Sequence, residues 1–334
     1  MSEPVSSRIS QRARTMTSGV LSLLSQYLSS DNRSLIPFLP RSAKLFIFII
    51  FLLNIRSWPG AWHVRVFTSI IQLRLKKLLY GQRNKELFWK TASPVGRTLL
   101  PSTDGKDKGI QIVSTFWAAP DDCDWNGHMS NSSYAKNLDP VRMRVCAEWF
   151  PALFADGGWI GLAGAHYHFI REIPVGARYE VRLTVSGWEK KWAYLVAKFV
   201  TYPTKTKSKS HTSTKSNTIP APGLRTHDDD GALIHCIAVS TLCAKHGRVT
   251  IPPNVAFAMS GFSLTEPGSD ENWQKANSIR AQGPKAVQAF LRGGWNGVPR
   301  DEVWWEPSEE VERERKRRVE LLDLLGRSMD GLRI

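Results

Sequence analysis

The stretch that decides the fold is residues 121–154, DDCDWNGHMSNSSYAKNLDPVRMRVCAEWFPALF. In its second part, apolar side chains recur at steps of three and four residues: Tyr134, Leu138, Val141, Val145, Trp149 and Leu153. This spacing predicts an amphipathic helix over residues 132–154, which is about six turns at about 3.6 residues per turn.

The ends of this helix also carry signals. Ser130 or Asn131 is expected to cap its first turn, and the glycine pair 157–158 to end it. Pro140 and Pro151 lie inside the span, and each removes a backbone hydrogen-bond donor. We therefore expect a kink or a restarted helix at either proline.

Strand patterns surround the helix on both sides. Residues 179–186 alternate between apolar and polar side chains, and Glu189-Lys190-Lys191 follow as a turn. One strand is predicted before the helix and four after it, at residues 110–118, 160–172, 177–188, 192–202 and 232–244. The last is almost wholly apolar and should lie centrally in the sheet. The sequence thus predicts an α+β fold, with an antiparallel sheet wrapped around one long helix.

A polar loop stands directly before the helix. Asp124, Asn126 and His128 provide a carboxylate, an amide and an imidazole beside backbone N–H groups that a helix start leaves unpaired. Such groups could activate water or attack a carbonyl, position the nucleophile and protonate a leaving group. The alternative is turn chemistry, because Asp and Asn fold back on the backbone and Gly127 tolerates positive φ.

The string DWNGHMSNSSY, residues 124–134, resembles the D-x-x-G-H-x-N-N-x-x-Y signature of hot-dog-fold thioesterases of the 4-hydroxybenzoyl-CoA type. Its D-x-N-x-H core also resembles the catalytic set of plant acyl-carrier-protein thioesterases. Residues 166–200, HYHFIREIPVGARYEVRLTVSGWEKKWAYLVAKFV, are similar to the second to fourth strands of the hot-dog fold. The resemblance covers roughly residues 110–250. A narrower resemblance is to thioesterase-like proteins of filamentous fungi, some of which are tied to secondary metabolism.

This resemblance implies roles position by position. Asp124 matches the catalytic carboxylate, His128 the loop histidine, and Asn126 the catalytic asparagine of the plant enzymes. Asn131 matches the second asparagine of the paired asparagines, and Ser130 replaces the first, which puts one substrate-positioning contact in doubt.

Three further residues are predicted to bind substrate: Gly127, Tyr134 and Asp139. Asp139 matches an acidic position that some members use. It could instead cap a helix restarting at Pro140 or pair with Arg142 three residues along.

The implied activity is hydrolysis of an acyl-CoA or an acyl- or polyketide-carrier-protein thioester, without metal or organic cofactor. The resemblance also implies a homodimer or homotetramer with the acyl site between subunits. A rival hypothesis is a membrane-tethered hot-dog protein that binds acyl thioesters or partner proteins without turnover. A dehydratase on the same fold is a further alternative.

Charge is unevenly distributed along the 334 residues. The net charge is +15, with +12 in residues 1–110 and only +3 in the remainder. Nucleic acid is not a predicted partner, because no aromatic residues interleave the lysines of the inserted Lys/Ser-rich loop, residues 204–218. Residues 1–44 form a Ser/Arg-rich tail that resembles either a mitochondrial transit peptide or a disordered segment.

Residues 45–80 are predicted to associate with a membrane. LFIFIIFLL at residues 45–53 is shorter than the roughly 20 residues a bilayer span needs, and residues 62–79 have the composition of a basic amphipathic helix. The alternative is a helical pair packed on the folded domain. We expect an intracellular, membrane-associated protein at the endoplasmic reticulum or a cytoplasmic face, with the mitochondrion as second choice.

The remaining predictions are structural. The hot-dog domain should cover residues 110–255, followed by an extension over 256–334 with a charged helix at 308–325. The four cysteines lack the spacing of metal or redox sites, so they are predicted to be structural. His166 and His168 share one strand face without a third metal ligand, and His235 is predicted to be a hydrogen-bonded core histidine.

Overall fold

The computed structural model describes residues 39–81, 84–102, 109–202 and 226–330. The chain forms two compact units, residues 1–56 and residues 57–334. The predicted tail, apart from its last six residues, and the predicted insertion at 204–218 lie outside the described residues. In the first unit the structure describes helix α1, Arg41–Leu53, none of whose residues is buried.

The second unit holds all the strands and eight further α-helices among the described residues. Before the first strand come α2, Ala61–Tyr80, and α3, Lys85–Ala92. The central helices are α4, Asn131–Trp149, and α5, Pro151–Ala155. The chain ends with α6, Pro253–Met259; α7, Glu271–Ala281; α8, Pro284–Leu291; and α9, Glu309–Asp330.

Six strands form one antiparallel sheet. They are β1, Gln111–Trp117; β2, Gly158–Phe169; β3, Arg178–Trp188; β4, Ala193–Thr201; β5, Leu233–His246; and β6, Val249–Ile251. Their order is β1-β3-β4-β5-β2, with β6 paired to β5. All five predicted strands are confirmed within a few residues. The apolar strand β5 is interior, and β3 turns into β4 with the Glu189 N–H donating to the Trp192 carbonyl at 2.8 Å.

The sheet curls around α4, which confirms the predicted α+β architecture. The helix buries one apolar stripe against the sheet, formed by Tyr134, Leu138, Val141, Val145 and Trp149. Burial of this stripe and of the facing strand residues supplies the main driving force for the fold.

The predicted restart of the helix occurs at Pro151 and does not occur at Pro140. α4 runs through Pro140, whose ring removes only one hydrogen bond while Leu138 and Val141 stay buried on either side. The helix ends at Trp149, and α5 restarts with Pro151 in its first turn, a position where no N–H is needed. Ser130 occupies the predicted N-cap position, although its side chain makes no capping hydrogen bond.

The core extends beyond the strands into the C-terminal region. Phe257, Phe262, Leu264 and Leu291 are buried in the same cluster as the residues of α4. Helices α6, α7 and α8 are not predicted from the sequence, whereas the charged helix α9 overlaps its predicted span. The domain boundaries at residues 110, 255 and 256 stay predictions.

The N-terminal segment is helical in both of its predicted parts. α1 covers the apolar run. α2 begins after Gly60, which has a positive φ of 83°. None of the helices in the described ranges is at once long enough and apolar enough to span a bilayer.

Candidate functional site

The polar loop forms a small hairpin. The Asp124 N–H donates to the His128 carbonyl at 2.8 Å, and Cys123 and Met129 pair as a β-bridge behind it. Gly127 supplies the required positive φ, 76°, which other residues adopt only with strain. We call residues 124–128 the tip of the loop.

The loop is fastened to the connection between β2 and β3. The Met129 N–H donates to the Ile173 carbonyl at 2.8 Å, and the Val175 N–H donates to the Gly127 carbonyl at 2.8 Å. A bridge between His128 and Pro174 completes the pairing. Backbone hydrogen bonds therefore fix the tip against a second segment of the sheet.

Asp124 lies exposed at the tip, with its two oxygens in different situations. Oδ1 accepts from the backbone N–H of Asn126 at 2.9 Å and from that of His128 at 3.4 Å. In the part of the chain that the structure describes, no hydrogen bond reaches Oδ2. One oxygen thus orients the carboxylate while the other is open to water. Oδ1 therefore makes the hydrogen bonds that the turn-chemistry alternative predicts.

His128 is close to a carboxylate that the sequence analysis missed. Its Nδ1 lies 3.3 Å from Oε2 of Glu172, and the two side chains are 35% and 68% exposed. Glu172 stands 44 residues further along the chain, so no local pattern places it here. The pairing of residues 127–129 with 173–175 brings the two side chains together.

The start of α4 presents free backbone donors beside the loop. Ser130 does not cap with its side chain; its Oγ lies 2.9 Å from the Ser133 Oγ. The N–H groups of Asn131 and Ser132 have no hydrogen-bond partner among the described residues. Such donors, with the positive end of the helix dipole, can bind a developing oxyanion.

The base of the loop is buried. The side chain of Asp122 is fully buried, and its Oδ1 lies 2.7 Å from Nζ of Lys136, which is 27% exposed. The Asp122 carbonyl accepts from the N–H of Ser130 at 2.9 Å. This pair links the loop to the second turn of α4.

Two predicted substrate-binding residues lie away from the tip. Tyr134 is buried, with its ring packed edge-on to Phe169 and Phe199, and burial raises the pKa of its hydroxyl. Any contact between Tyr134 and a substrate needs that substrate to reach between helix and sheet. Its role stays a prediction.

Asp139 has the structural partner that the sequence offered as one alternative. Its Oδ1 accepts from Nη1 of Arg142 at 2.7 Å, and its Oδ2 accepts from Nε1 of Trp62 at 3.3 Å. Because α4 is continuous, Asp139 caps no restarted helix. Arg142 also donates to Tyr167 on β2 and Ser240 on β5, which places this cluster between the helix and the sheet.

All four cysteines are free, and burial with the nearby Asp122, Asp124 and Asp121 carboxylates raises the pKa of Cys123. Within the described ranges, no three His, Cys, Asp or Glu side chains cluster closely enough to hold a metal ion.

His235 is buried and satisfied on both nitrogens. Its Nδ1 donates to the Glu172 carbonyl at 2.9 Å, which makes Nε2 the acceptor from the Thr201 hydroxyl at 2.8 Å. Burial lowers the pKa of this imidazole. His235 thereby supports the backbone of the residue that approaches His128.

The structure therefore brings Asp124, Asn126, Gly127 and His128 into one turn next to Asn131. Tyr134 is buried away from this turn, and Asp139 pairs with Arg142. The sequence matches known proteins over the same region. Residues 118–256 match the family model described as the thioesterase-like superfamily.

Two relatives extend over most of the chain. The thioesterase lcsJ of Purpureocillium lilacinum is 25% identical over 272 residues, 72% of this chain and 79% of that protein. The thioesterase poxG of Penicillium oxalicum is 24% identical over 269 residues, 73% of this chain and 82% of that protein. Among solved structures, the probable thioesterase YbaW from Escherichia coli is 9% identical, with a TM-score of 0.33, and covers 45% of this chain and 95% of that one.

Proposed function

We propose that this chain, whose residues 118–256 match the family model described as the thioesterase-like superfamily, hydrolyses an acyl thioester to a free carboxylic acid and a thiol. The observation that carries the proposal is the carboxylate of Asp124, held by Oδ1 and open at Oδ2, beside a helix start with free N–H groups. The non-catalytic binding hypothesis lacks a comparable supporting observation.

Asp124 acts as the general base in this proposal. Its Oδ2 takes a proton from water, the water oxygen bonds to the acyl carbon, and the carbonyl electrons move onto oxygen. The N–H groups of Asn131 and Ser132 stabilise that oxyanion. Collapse of the intermediate breaks the carbon–sulfur bond, and His128 donates a proton to the leaving thiolate.

Glu172 and Asn126 have supporting roles. The Glu172 carboxylate, whose Oε2 lies 3.3 Å from Nδ1 of His128, orients the imidazole. Asn126 lies exposed at the tip, where its amide can hold the attacking water. Gly127 keeps the turn tight enough for these side chains to converge.

The substrate class is an acyl or polyketide chain on coenzyme A or on a carrier protein. The phosphates of coenzyme A and the acidic surface of carrier proteins both suit a chain of net charge +15. The names of the relatives support the reaction and leave the acyl group open. A place in fungal secondary metabolism is part of this proposal.

A second copy of the chain is the proposed partner at strand β2. Among the strands that the structure describes, β2 lies at the edge of the sheet and pairs with β5, and Leu162 and Phe169 are among its exposed residues. An edge strand with exposed apolar side chains pairs readily with another chain. A homodimer or homotetramer formed there would cover these residues and bring a second subunit to the substrate.

The test is mass spectrometry of the acids released when the purified full-length protein meets a mixed pool of acyl-CoA and acyl-carrier-protein thioesters. We expect release of one or a few acids by the wild type and loss of that release in Asp124→Ala. Asp301→Ala is the matched control, because Asp301 is an exposed carboxylate on the C-terminal extension. Absence of any released acid from the wild type contradicts the proposal.

A further inference from the structure

Helix α2 has two different faces. The inner face packs on α4: Val66 is buried, the Arg65 Nη2 donates to Asn137 Oδ1 at 2.6 Å, and the Trp62 Nε1 donates to Asp139 Oδ2 at 3.3 Å. Asn137 is itself fully buried on α4. Specific contacts therefore hold α2 in one rotational setting on the helix that begins at the candidate site.

The outer face of α2 is an exposed apolar stripe. Its members recur at steps of three and four residues and are each between 43% and 66% exposed: Val64, Phe67, Ile71, Leu75 and Leu78. At about 1.5 Å per residue, the stripe is about 21 Å long. A continuous apolar stripe of this kind on a folded surface marks an interaction site.

The charged residues of the chain segment that contains the stripe are all basic. Residues 32–85 contain ten Lys and Arg residues and no Asp or Glu. Arg74, Lys76 and Lys77 are exposed on α2 itself. The partner that complements this surface is apolar in its interior and anionic at its boundary.

Helix α1 indicates which kind of partner this is. Its residues 46–53, FIFIIFLL, are all apolar, and each is between 37% and 64% exposed. Eight consecutive helical residues point in every direction around the axis, so a groove on a protein would leave part of them in water. A helix that is apolar all round is suited to a medium that surrounds it, such as lipid.

We propose that the outer stripe of α2 lies in the interface of an anionic phospholipid membrane, with the apolar helix α1 in one leaflet. Thirteen residues of α1 give about 20 Å, against about 30 Å for a bilayer hydrocarbon core. α2 then lies between the membrane and the helix of the candidate site. This extends the predicted membrane association of residues 45–80 to a defined surface and lipid class.

The experiment is flotation of the purified full-length protein with vesicles. One set is phosphatidylcholine alone, and the other contains about 30% phosphatidylserine, since anionic lipid attracts basic segments near the surface. We expect binding to the anionic vesicles that weakens as salt rises. The double variant Ile71→Glu/Leu75→Glu should bind at least about tenfold more weakly, because charge is costly on the buried side of an interfacial helix.

Leu321→Glu is the matched control, since Leu321 is 58% exposed and lies on the C-terminal helix α9. This variant should bind as the wild type does. Circular dichroism and the midpoint of thermal unfolding show whether each variant is folded. Failure of the wild type to float with anionic vesicles, or equal binding by the double variant, overturns the proposal.

Sedimentation without lipid tests whether a second copy of the chain covers the stripe instead of a membrane. If a second copy covers the stripe, the double variant changes the sedimentation coefficient and the wild type does not bind vesicles, which also overturns the proposal. Neither outcome depends on thioester hydrolysis, so the membrane surface and the reaction are tested independently.

Discussion

The tip and the base of the polar loop carry the same residue type in opposite environments. Asp124, at the tip, is exposed and uses one oxygen to hold the turn, whereas Asp122, at the base, is fully buried beside Lys136. The two residues are only two positions apart. The difference teaches that burial, not residue type or proximity, separates a carboxylate available for chemistry from one that holds the loop in place.

The largest expected effect is on the tip. Asp124→Asn keeps a side-chain oxygen that can accept the hydrogen bonds of the turn. It removes the carboxylate that acts as general base, so kcat should fall by about 10²- to 10⁴-fold. The midpoint of thermal unfolding should stay within a few degrees of the wild type. Steady-state kinetics and a thermal melt on the same preparation check both halves.

A large loss of stability in Asp124→Asn would contradict the comparison, because Asp124 would then hold the loop in place as Asp122 does. Asp301→Asn, on the C-terminal extension, controls for the loss of an exposed carboxylate.

The second largest effect is expected at Asp122, at the base of the loop. Asp122→Asn removes the charge that faces Lys136, and we expect the free energy of unfolding to drop by about 1–3 kcal/mol. Lys136 is partly exposed and can reach water, which keeps the loss below that of a fully buried pair. Chemical denaturation measures this difference. For the fraction that stays folded, kcat should remain within a few-fold of the wild type, and a hundredfold loss would contradict the structural role.

The third effect concerns the support behind the tip. Burial lowers the pKa of His235, so the folded protein keeps this imidazole neutral while the unfolded chain binds a proton below about pH 6.5. The stability that the neutral ring contributes is therefore present above that pH and is lost as pH falls, by at most about 1.4 kcal/mol per pH unit.

His235→Asn should flatten this part of the pH dependence, because asparagine keeps a donor for the Glu172 carbonyl and cannot be protonated. Denaturation series at pH 7.5, 6.5 and 5.5 make the comparison. An unchanged slope between pH 6.5 and 5.5 would show that another group is responsible.

The smallest effect should come from Trp125, which is fully exposed at the tip. Trp125→Ala should change the free energy of unfolding by less than about 0.5 kcal/mol, as for most surface substitutions. A loss above 1 kcal/mol would mean that the tip is packed against a second subunit in solution, which would sharpen the proposed assembly.

Local pattern was enough to predict the tip and the central helix. The spacing of Tyr134, Leu138 and Val141 fixes the buried face of α4, and the hairpin at Glu189 has its own turn residues. Gly127 marked the turn because its positive φ has a direct sequence signal.

Features that depend on distant parts of the chain could not be predicted in this way. Glu172 reaches His128 through the pairing of residues 127–129 with 173–175, and that register has no local signal. The continuity of α4 through Pro140 depends on packing at its neighbours, which outweighs one lost hydrogen bond. The short helices α6 and α8 contribute buried side chains to the core. They are too short to show a long periodic pattern in the sequence.

The most direct test of the central claim is a single-turnover reaction in ¹⁸O-labelled water with an accepted acyl thioester and excess protein. If Asp124 activates water, the released acid carries one ¹⁸O, equimolar thiol appears, and the peptide containing Asp124 stays unlabelled. If ¹⁸O enters Asp124, or if neither acid nor thiol is released, the account of the tip as the base that activates water for thioester hydrolysis is contradicted.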